Sequence, residues 1–257
     1  MKDISKDLLK LLDQYGPDRK RALQENSRLD YLYALAELRE NLLEWYPFRA
    51  EGTLLQIGSD YGALTGLFSR MVSHVTVLDE SEEKLEVCRR RYGDRTNITY
   101  RTGSLPEYIA AGKPQFDYTV AVGSLKPSYE EFVRDAKSTL TEGGTLIMAV
   151  CNKFGMKYWA GAEKDEHSLS KKELTRLLTG DGSGGTLEFY YPMPDYRLPS
   201  AIYSENYLPG KGDLTNTLTV YDYPQYLLLD IGAAYDAVCD DGQFENFANS
   251  FLTVWHA

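Results

Sequence analysis

The chain of 257 residues predicts an α/β fold: a seven-stranded sheet, mostly parallel with an antiparallel C-terminal strand, preceded by N-terminal helices. Three observations predict it. Short apolar runs alternate with amphipathic stretches from Thr53 to Thr179, as buried parallel strands alternate with covering helices. The first run opens into a small-residue turn, Gly58-Ser59-Asp60-Tyr61-Gly62, and the second ends on an acid, Asp79. Near the C terminus, Leu187–Tyr191 and Ser250–Trp255 read as strands with no clear helix directly after the first, the order of an antiparallel edge pair.

Taken in order, Ile4, Leu8, Leu9, Leu11 and Leu12 form one helical face, which Gly16-Pro17 interrupts. A second helix is predicted from about Asp18 to Trp45, with Leu23, Leu29, Leu32, Ala36, Leu38, Leu42 and Leu43 at helical spacing and Pro47 as its stop. Thr53–Ile57 is the first strand, Gly62–Met71 a helix and Val75–Leu78 the second strand, with a further helix from near Ser81. Ile98–Tyr100, Phe116–Val122 and Thr145–Val150 are the next three strands, and Lys171–Thr179 is a helix. Ser104, Ser128 and Ser170 each stand three residues before a glutamate. At that spacing the two side chains satisfy free backbone N–H groups at a helix start. Residues 1–46 thus read as a helical extension and 47–257 as the α/β domain, with a Tyr- and Pro-rich insertion at about 193–246.

At 43% hydrophobic and 26% charged residues the chain has an ordinary globular composition. A net charge of −10 argues against a nucleic-acid substrate, because phosphate backbones require a basic surface. The one dense basic run, Arg89-Arg90-Arg91, falls late on a predicted helix, where the helix dipole favours cations. Cys88, Cys151 and Cys239 are widely spaced and odd in number, and histidines are scarce, so neither a disulfide framework nor a metal site is expected. No apolar run approaches the roughly 20 residues that cross a bilayer, and MKDISKDLLK lacks an apolar signal core, so a reduced, cytoplasmic protein without a membrane span is expected.

In a doubly wound sheet, ligands bind beyond the carboxyl ends of the strands, where strand order reverses. The first turn offers backbone N–H groups and close approach at Gly58 and Gly62, while Asp79 is placed to accept from ribose hydroxyls. Both features suit a nicotinamide dinucleotide and S-adenosyl-L-methionine (SAM) alike. The glycine spacing, Gly58, Gly62 and Gly66, departs from GxGxxG, and a second nucleotide-binding half is missing, which disfavours an NAD-dependent oxidoreductase.

Residues 53–151 resemble the class I SAM-dependent methyltransferases, which have a Rossmann-like fold. The resemblance rests on LLQIGSDYGALTGLF, VTVLDESEEKL, FDYTVAVGSL and LTEGGTLIMAV. Flanking segments (ENLLEWYPF, NKFGMKYWAG, YYPMPDYRLPSAIYSENYLP and FANSFL) resemble a bacterial group that accompanies glycosyltransferases in surface-polysaccharide biosynthesis. The resemblance implies a transferase with SAM as cofactor, a sugar or glycan hydroxyl as acceptor, and a glycosyltransferase as partner. It implies that Gly58 and Gly62 line the methionine portion, that Asp79 holds the ribose with Glu80 beside the adenine, that Gly103-Ser104 border the adenine, and that Val122-Gly123 lie below the sulfonium. Three positions depart from the pattern: Gln56 replaces an acid, Asp60 replaces a glycine, and Ser104 stands where an acid or amide is common. Asp60 either compensates for the acid missing at Gln56 or repels the ligand carboxylate. The segment around His167 is also shorter than in relatives. These departures leave a second reading open, a non-catalytic module that docks a partner.

A hydroxyl acceptor can call on a base. His167 is the best-placed histidine; the alternative is a solvated loop residue. Tyr190, Tyr191, Tyr196, Tyr203, Tyr207, Tyr221, Tyr223 and Tyr226 are dense for a loop. They form either a sugar-binding cap, with Tyr196, Tyr203 and Asp195 as contacts, or the packing of an inserted loop. Asp195 alternatively caps a turn.

Overall fold

The computed structural model describes residues 3–112, 115–180, 182, 184–215 and 227–257. Two compact units divide the chain: Met1–Ser124 with Asp135–Leu146, and Leu125–Arg134 with Ile147–Ala257.

The first unit opens with α1 (Ser5–Tyr15), α2 (Arg19–Glu25), α3 (Leu29–Leu35) and a 3-10 helix, Glu37–Leu42. The single helix expected from Asp18 to Trp45 is therefore three short pieces. Asn26 ends α2 at φ −137° and ψ 83°, and its side chain donates to the Ala22 carbonyl at 2.9 Å, the local competition that polar side chains offer to a helix. Ala36, extended at ψ 135°, makes the second break. Ile4, Leu8, Leu11, Ala22, Tyr31, Ala34 and Leu35 pack into one cluster with Val87 and Tyr61. The helical extension thus rests on the α5 helix (Glu82–Tyr92) and on the turn after the first strand.

Next come β1 (Thr53–Ile57), α4 (Thr65–Met71), β2 (His74–Asp79), β3 (Ile98–Thr102), α6 (Leu105–Ala110) and β4 (Phe116–Val122). β1 pairs in parallel with β2 and with β4, and β2 with β3. Registers such as Ile57↔Leu78 and Asp79↔Thr102 bring their carboxyl ends level. The capping box at Ser104 and Glu107 forms as expected. Ser128, by contrast, has φ 67° rather than an extended N-cap backbone, ahead of α7 (Tyr129–Ser138). β5 (Leu140–Cys151) begins five residues before the predicted strand.

The second unit holds α8 (Met156–Trp159), α9 (Lys171–Thr179), β6 (Thr186–Met193), β7 (Ala201–Ser204), α10 (Ile231–Asp240), α11 (Phe244–Phe247) and β8 (Ser250–His256). Ser170 and Glu173 form the capping box of α9. β6 is antiparallel to both β7 and β8. Among the described residues the sheet has eight strands, in the order β3-β2-β1-β4-β5-β8-β6-β7, not seven. The extra strand, β7, is four residues long, too short for alternation to stand out in sequence. The expected insertion contains β7, α10 and α11, while residues 216–226 lie outside the described part. No described helix is long and apolar enough to cross a membrane.

Candidate active site

Strand order reverses between β1, which leads outward through β2 to β3, and β4 on its other side. The turns after these two strands meet there: a Cβ on Gly58 (φ 82°) would lie 2.2 Å from Ser124 Oγ. Glycine at position 58 therefore answers both a left-handed backbone and a close approach.

Asp60, Tyr61 and Gly62 follow with φ of 43°, 56° and 82°. Two consecutive non-glycine residues in the left-handed region are costly and persist only where surroundings fix them. Tyr61 is 2% exposed, and its hydroxyl accepts from Ile4 N at 3.3 Å. Arg91 Nη1 donates to the Tyr61 carbonyl at 2.6 Å, and Tyr92 Oη donates to the Gly62 carbonyl at 3.0 Å. A Cβ on Gly62 would meet the Tyr92 ring at 3.0 Å and Cys88 Sγ at 3.3 Å, so the close approach there is to α5. Burial pushes the Cys88 thiol up to about 12, which keeps it protonated and inert.

Asp60 forms an ion pair with Arg39, which is 2% exposed. The charge added to the turn by Asp60 is thus met by a buried guanidinium. Gln56, 4% exposed, donates to the carbonyls of Gly58 and Ser59 at 3.1 and 3.3 Å and accepts from Thr65 Oγ1 at 2.8 Å. An acid there could not donate to those carbonyls; the amide closes the turn on itself. Asp79 Oδ2 accepts from Ser59 N at 2.8 Å and Ser59 Oγ at 2.7 Å, and Oδ1 accepts from Ser81 N at 2.9 Å. Glu80 beside it is exposed. Gly103 (φ 142°) donates its N–H to the Asp79 carbonyl at 3.0 Å. The Ser104 hydroxyl is engaged with Glu107 at 2.7 Å. Gly123 is exposed at φ 63° and Val122 is half-buried. All ten residues of the expected cofactor pocket belong to the first unit.

The expected acceptor residues belong to the second unit. His167 is half-buried, with Nδ1 3.5 Å from Tyr129 Oη and the two rings edge to face. Asp195 is 2% exposed; Oδ1 accepts from Arg197 N at 2.8 Å and Oδ2 lies 3.6 Å from Lys157 Nζ, itself buried. Tyr196 is buried and donates its N–H to Ser250 Oγ at 2.9 Å. Tyr203 lies parallel to Tyr207, with ring centroids 6.5 Å apart, and Tyr207 is 73% exposed. Tyr221, Tyr223 and Tyr226 lie outside the described residues. Arg39, Ser59, Tyr61, Arg91 and Ser124 are not among the site residues expected from sequence; each acts on the site through partners 20 or more residues away, or through a backbone angle.

Residues 54–144 match the family model of the methyltransferase domain. The ubiquinone biosynthesis O-methyltransferase of Caulobacter vibrioides is 26% identical over 146 residues, which make up 50% of this chain and 58% of that protein. N-methyltransferase NodS of Bradyrhizobium japonicum WM9, solved with S-adenosyl-L-homocysteine, is similar at a TM-score of 0.51 and 14% identity, covering 99% of this chain and 98% of NodS. Phosphoethanolamine N-methyltransferase 1 of Haemonchus contortus gives a TM-score of 0.55 at 14% identity, over 98% of this chain and 49% of that one. The fold is that of the class I methyltransferases. The stretch matching the methyltransferase domain runs from β1 to the first residues of β5.

Proposed function

We propose that the chain is a SAM-dependent methyltransferase that O-methylates a sugar or glycan intermediate. One observation carries the first part. A positive-φ turn stands after β1, where strand order reverses, and an acidic strand end at Asp79 and a positive-φ glycine at Gly103 stand at the carboxyl ends of the neighbouring strands β2 and β3. These residues suit an adenosyl ligand. Asp79 offers carboxylate oxygens to ribose hydroxyls, Glu80 stands beside it, and the Gly103-Ser104 backbone borders the base, since the Ser104 side chain is taken by Glu107. Gly58 and Gly62 line the methionine portion, and Val122-Gly123 lie beneath the reacting centre. Arg39 cancels the charge of Asp60, so the turn does not present a bare carboxylate to the ligand. SAM supplies a methyl group on a cationic sulfur, so the chain's main task is to hold the acceptor in line.

An oxygen acceptor agrees with the name of the Caulobacter relative, an O-methyltransferase. A sugar agrees with the parallel Tyr203 and Tyr207 rings, whose faces and hydroxyl tips suit a pyranose. Tyr196 and Asp195 then act by fixing the backbone that carries this pair. His167, oriented by Tyr129, takes the hydroxyl proton. A second reading, a docking module for a glycosyltransferase, draws on Asp79, whose carboxylate already accepts three hydrogen bonds. Titration calorimetry with SAM and S-adenosylhomocysteine separates the two. Micromolar binding that Asp79→Ala weakens by roughly tenfold or more supports the enzyme. No heat at millimolar ligand leaves the docking module. Transfer of labelled methyl to sugar nucleotides or lipid-linked glycans then tests the acceptor.

A further inference from the structure

The end of α1, the Gly16-Pro17 turn and the end of α5 enclose a cleft of about 520 Å3. Arg19, Arg90, Arg91 and Arg95 line it, against Asp94 as the acidic lining residue. In a chain of net charge −10 this is a local reversal of sign. Carboxylates partly meet two of the four: Arg19 lies 3.5 Å from Glu37, and Arg90 pairs with Asp13. Arg95 donates to Ser69 Oγ at 2.9 Å. Arg91 uses Nη1 for the Ala34 carbonyl, at 2.9 Å, and for the Tyr61 carbonyl, while its Nη2 is buried with no hydrogen-bond partner. Arg91 is half-buried and lines the cleft while holding the Tyr61 carbonyl, so it is the side chain that joins the cleft to the turn.

We propose that this cleft binds the phosphoryl group of a small anionic ligand, and that Arg91 couples its occupancy to the Asp60–Gly62 turn. Arginine forks match the tetrahedral oxygens of a phosphate in bidentate fashion, and the four around this cleft outnumber the three carboxylates, Asp13, Glu37 and Asp94, that stand against them. The overall negative charge repels a nucleic-acid chain but admits one compact phosphate. Through Nη1, an anion on Arg91 adds order to the Tyr61 carbonyl and hence to the turn's left-handed backbone. The proposal is independent of whether the turn binds SAM.

The test is calorimetric titration of the full chain with inorganic phosphate, pyrophosphate and a nucleoside diphosphate, in phosphate-free buffer at low salt. Arg90→Gln and Arg19→Gln alter side chains at the cleft rim and leave the Tyr61 contacts in place. Each is expected to weaken phosphate binding by roughly tenfold. Tighter binding of the nucleoside diphosphate than of pyrophosphate identifies a nucleotide as the source; equal binding identifies the phosphoryl group alone. Either supports the site. Amide hydrogen exchange of residues 59–63, read with and without phosphate, tests the coupling and is expected to slow. Absence of binding at tens of millimolar phosphate, or binding unchanged in both variants, overturns the site. Unchanged exchange in the phosphate-bound chain overturns the coupling.

Discussion

The residue that most changes the picture of the turn is Arg39. Asp60 replaces a residue type that tolerates φ 43° freely, and it brings a charge. Arg39 answers the charge from a side chain 3% exposed, while the Asp60 side chain keeps 33% of its exposure. That asymmetry sets the expected cost of breaking the pair. Asp60→Asn removes the carboxylate charge that meets a buried guanidinium and is expected to cost about 3 kcal/mol, the lower end for a buried pair. Arg39→Met leaves a carboxylate that water can still reach, and is expected to cost about 2 kcal/mol. The double variant Arg39→Met with Asp60→Gly is expected to lose less than the two single changes predict together, because glycine accepts the left-handed backbone. Urea unfolding of the variants measures all three. A larger loss for Arg39→Met than for Asp60→Asn would show that the buried partner has been misassigned.

Among the elements, α9 has the most readable start. Ser170 and Glu173 cap one another, and Glu173 also takes a bond from Lys153 at 2.6 Å. Lys153 first, and the Ser170 N–H next, hold the Glu173 carboxyl down from 4.5 to about 2. A depressed folded value stabilises the fold above the unfolded value and is lost as pH falls through the folded one. The contribution of this cap is therefore complete above 4.5 and disappears toward about 2. Glu173→Gln is expected to flatten the fall of helicity across that window, followed by circular dichroism. The same element shows why some of the fold was legible in sequence: its signals sit within three residues of one another. β1 and β4 were equally legible, because each is a short, largely apolar run between turn residues, as a buried parallel strand is. The stretch from Asp18 to Trp45 misled, because helical spacing cannot register a side chain such as Asn26 bonding back to the chain. β7 offered too few residues, and Arg39, Tyr61 and Arg91 join the site over distances in sequence that no period records.

For the whole molecule, ligand binding and folding are linked by mass action. A ligand that binds the folded chain alone adds about 2.7 kcal/mol at a hundredfold excess over its dissociation constant. For a chain near this size each kcal/mol moves the midpoint by roughly 2–4 °C, so S-adenosylhomocysteine at that excess is expected to raise Tm by about 5–10 °C. Salt separates this effect from others. With a net charge of −10, screening between about 50 and 300 mM salt relieves self-repulsion and shifts the unliganded midpoint by itself. S-adenosylhomocysteine carries no net charge, so its increment is expected to stay nearly constant over that range. The increment from phosphate in the arginine cleft is expected to shrink steeply with added salt. Scanning calorimetry of the wild-type chain and of Asp79→Ala, each at both salt levels, resolves the two. The expected result is a salt-insensitive increment that falls to about half or less in Asp79→Ala. An increment of equal size in that variant would mean that the ribose is held elsewhere than at the end of β2.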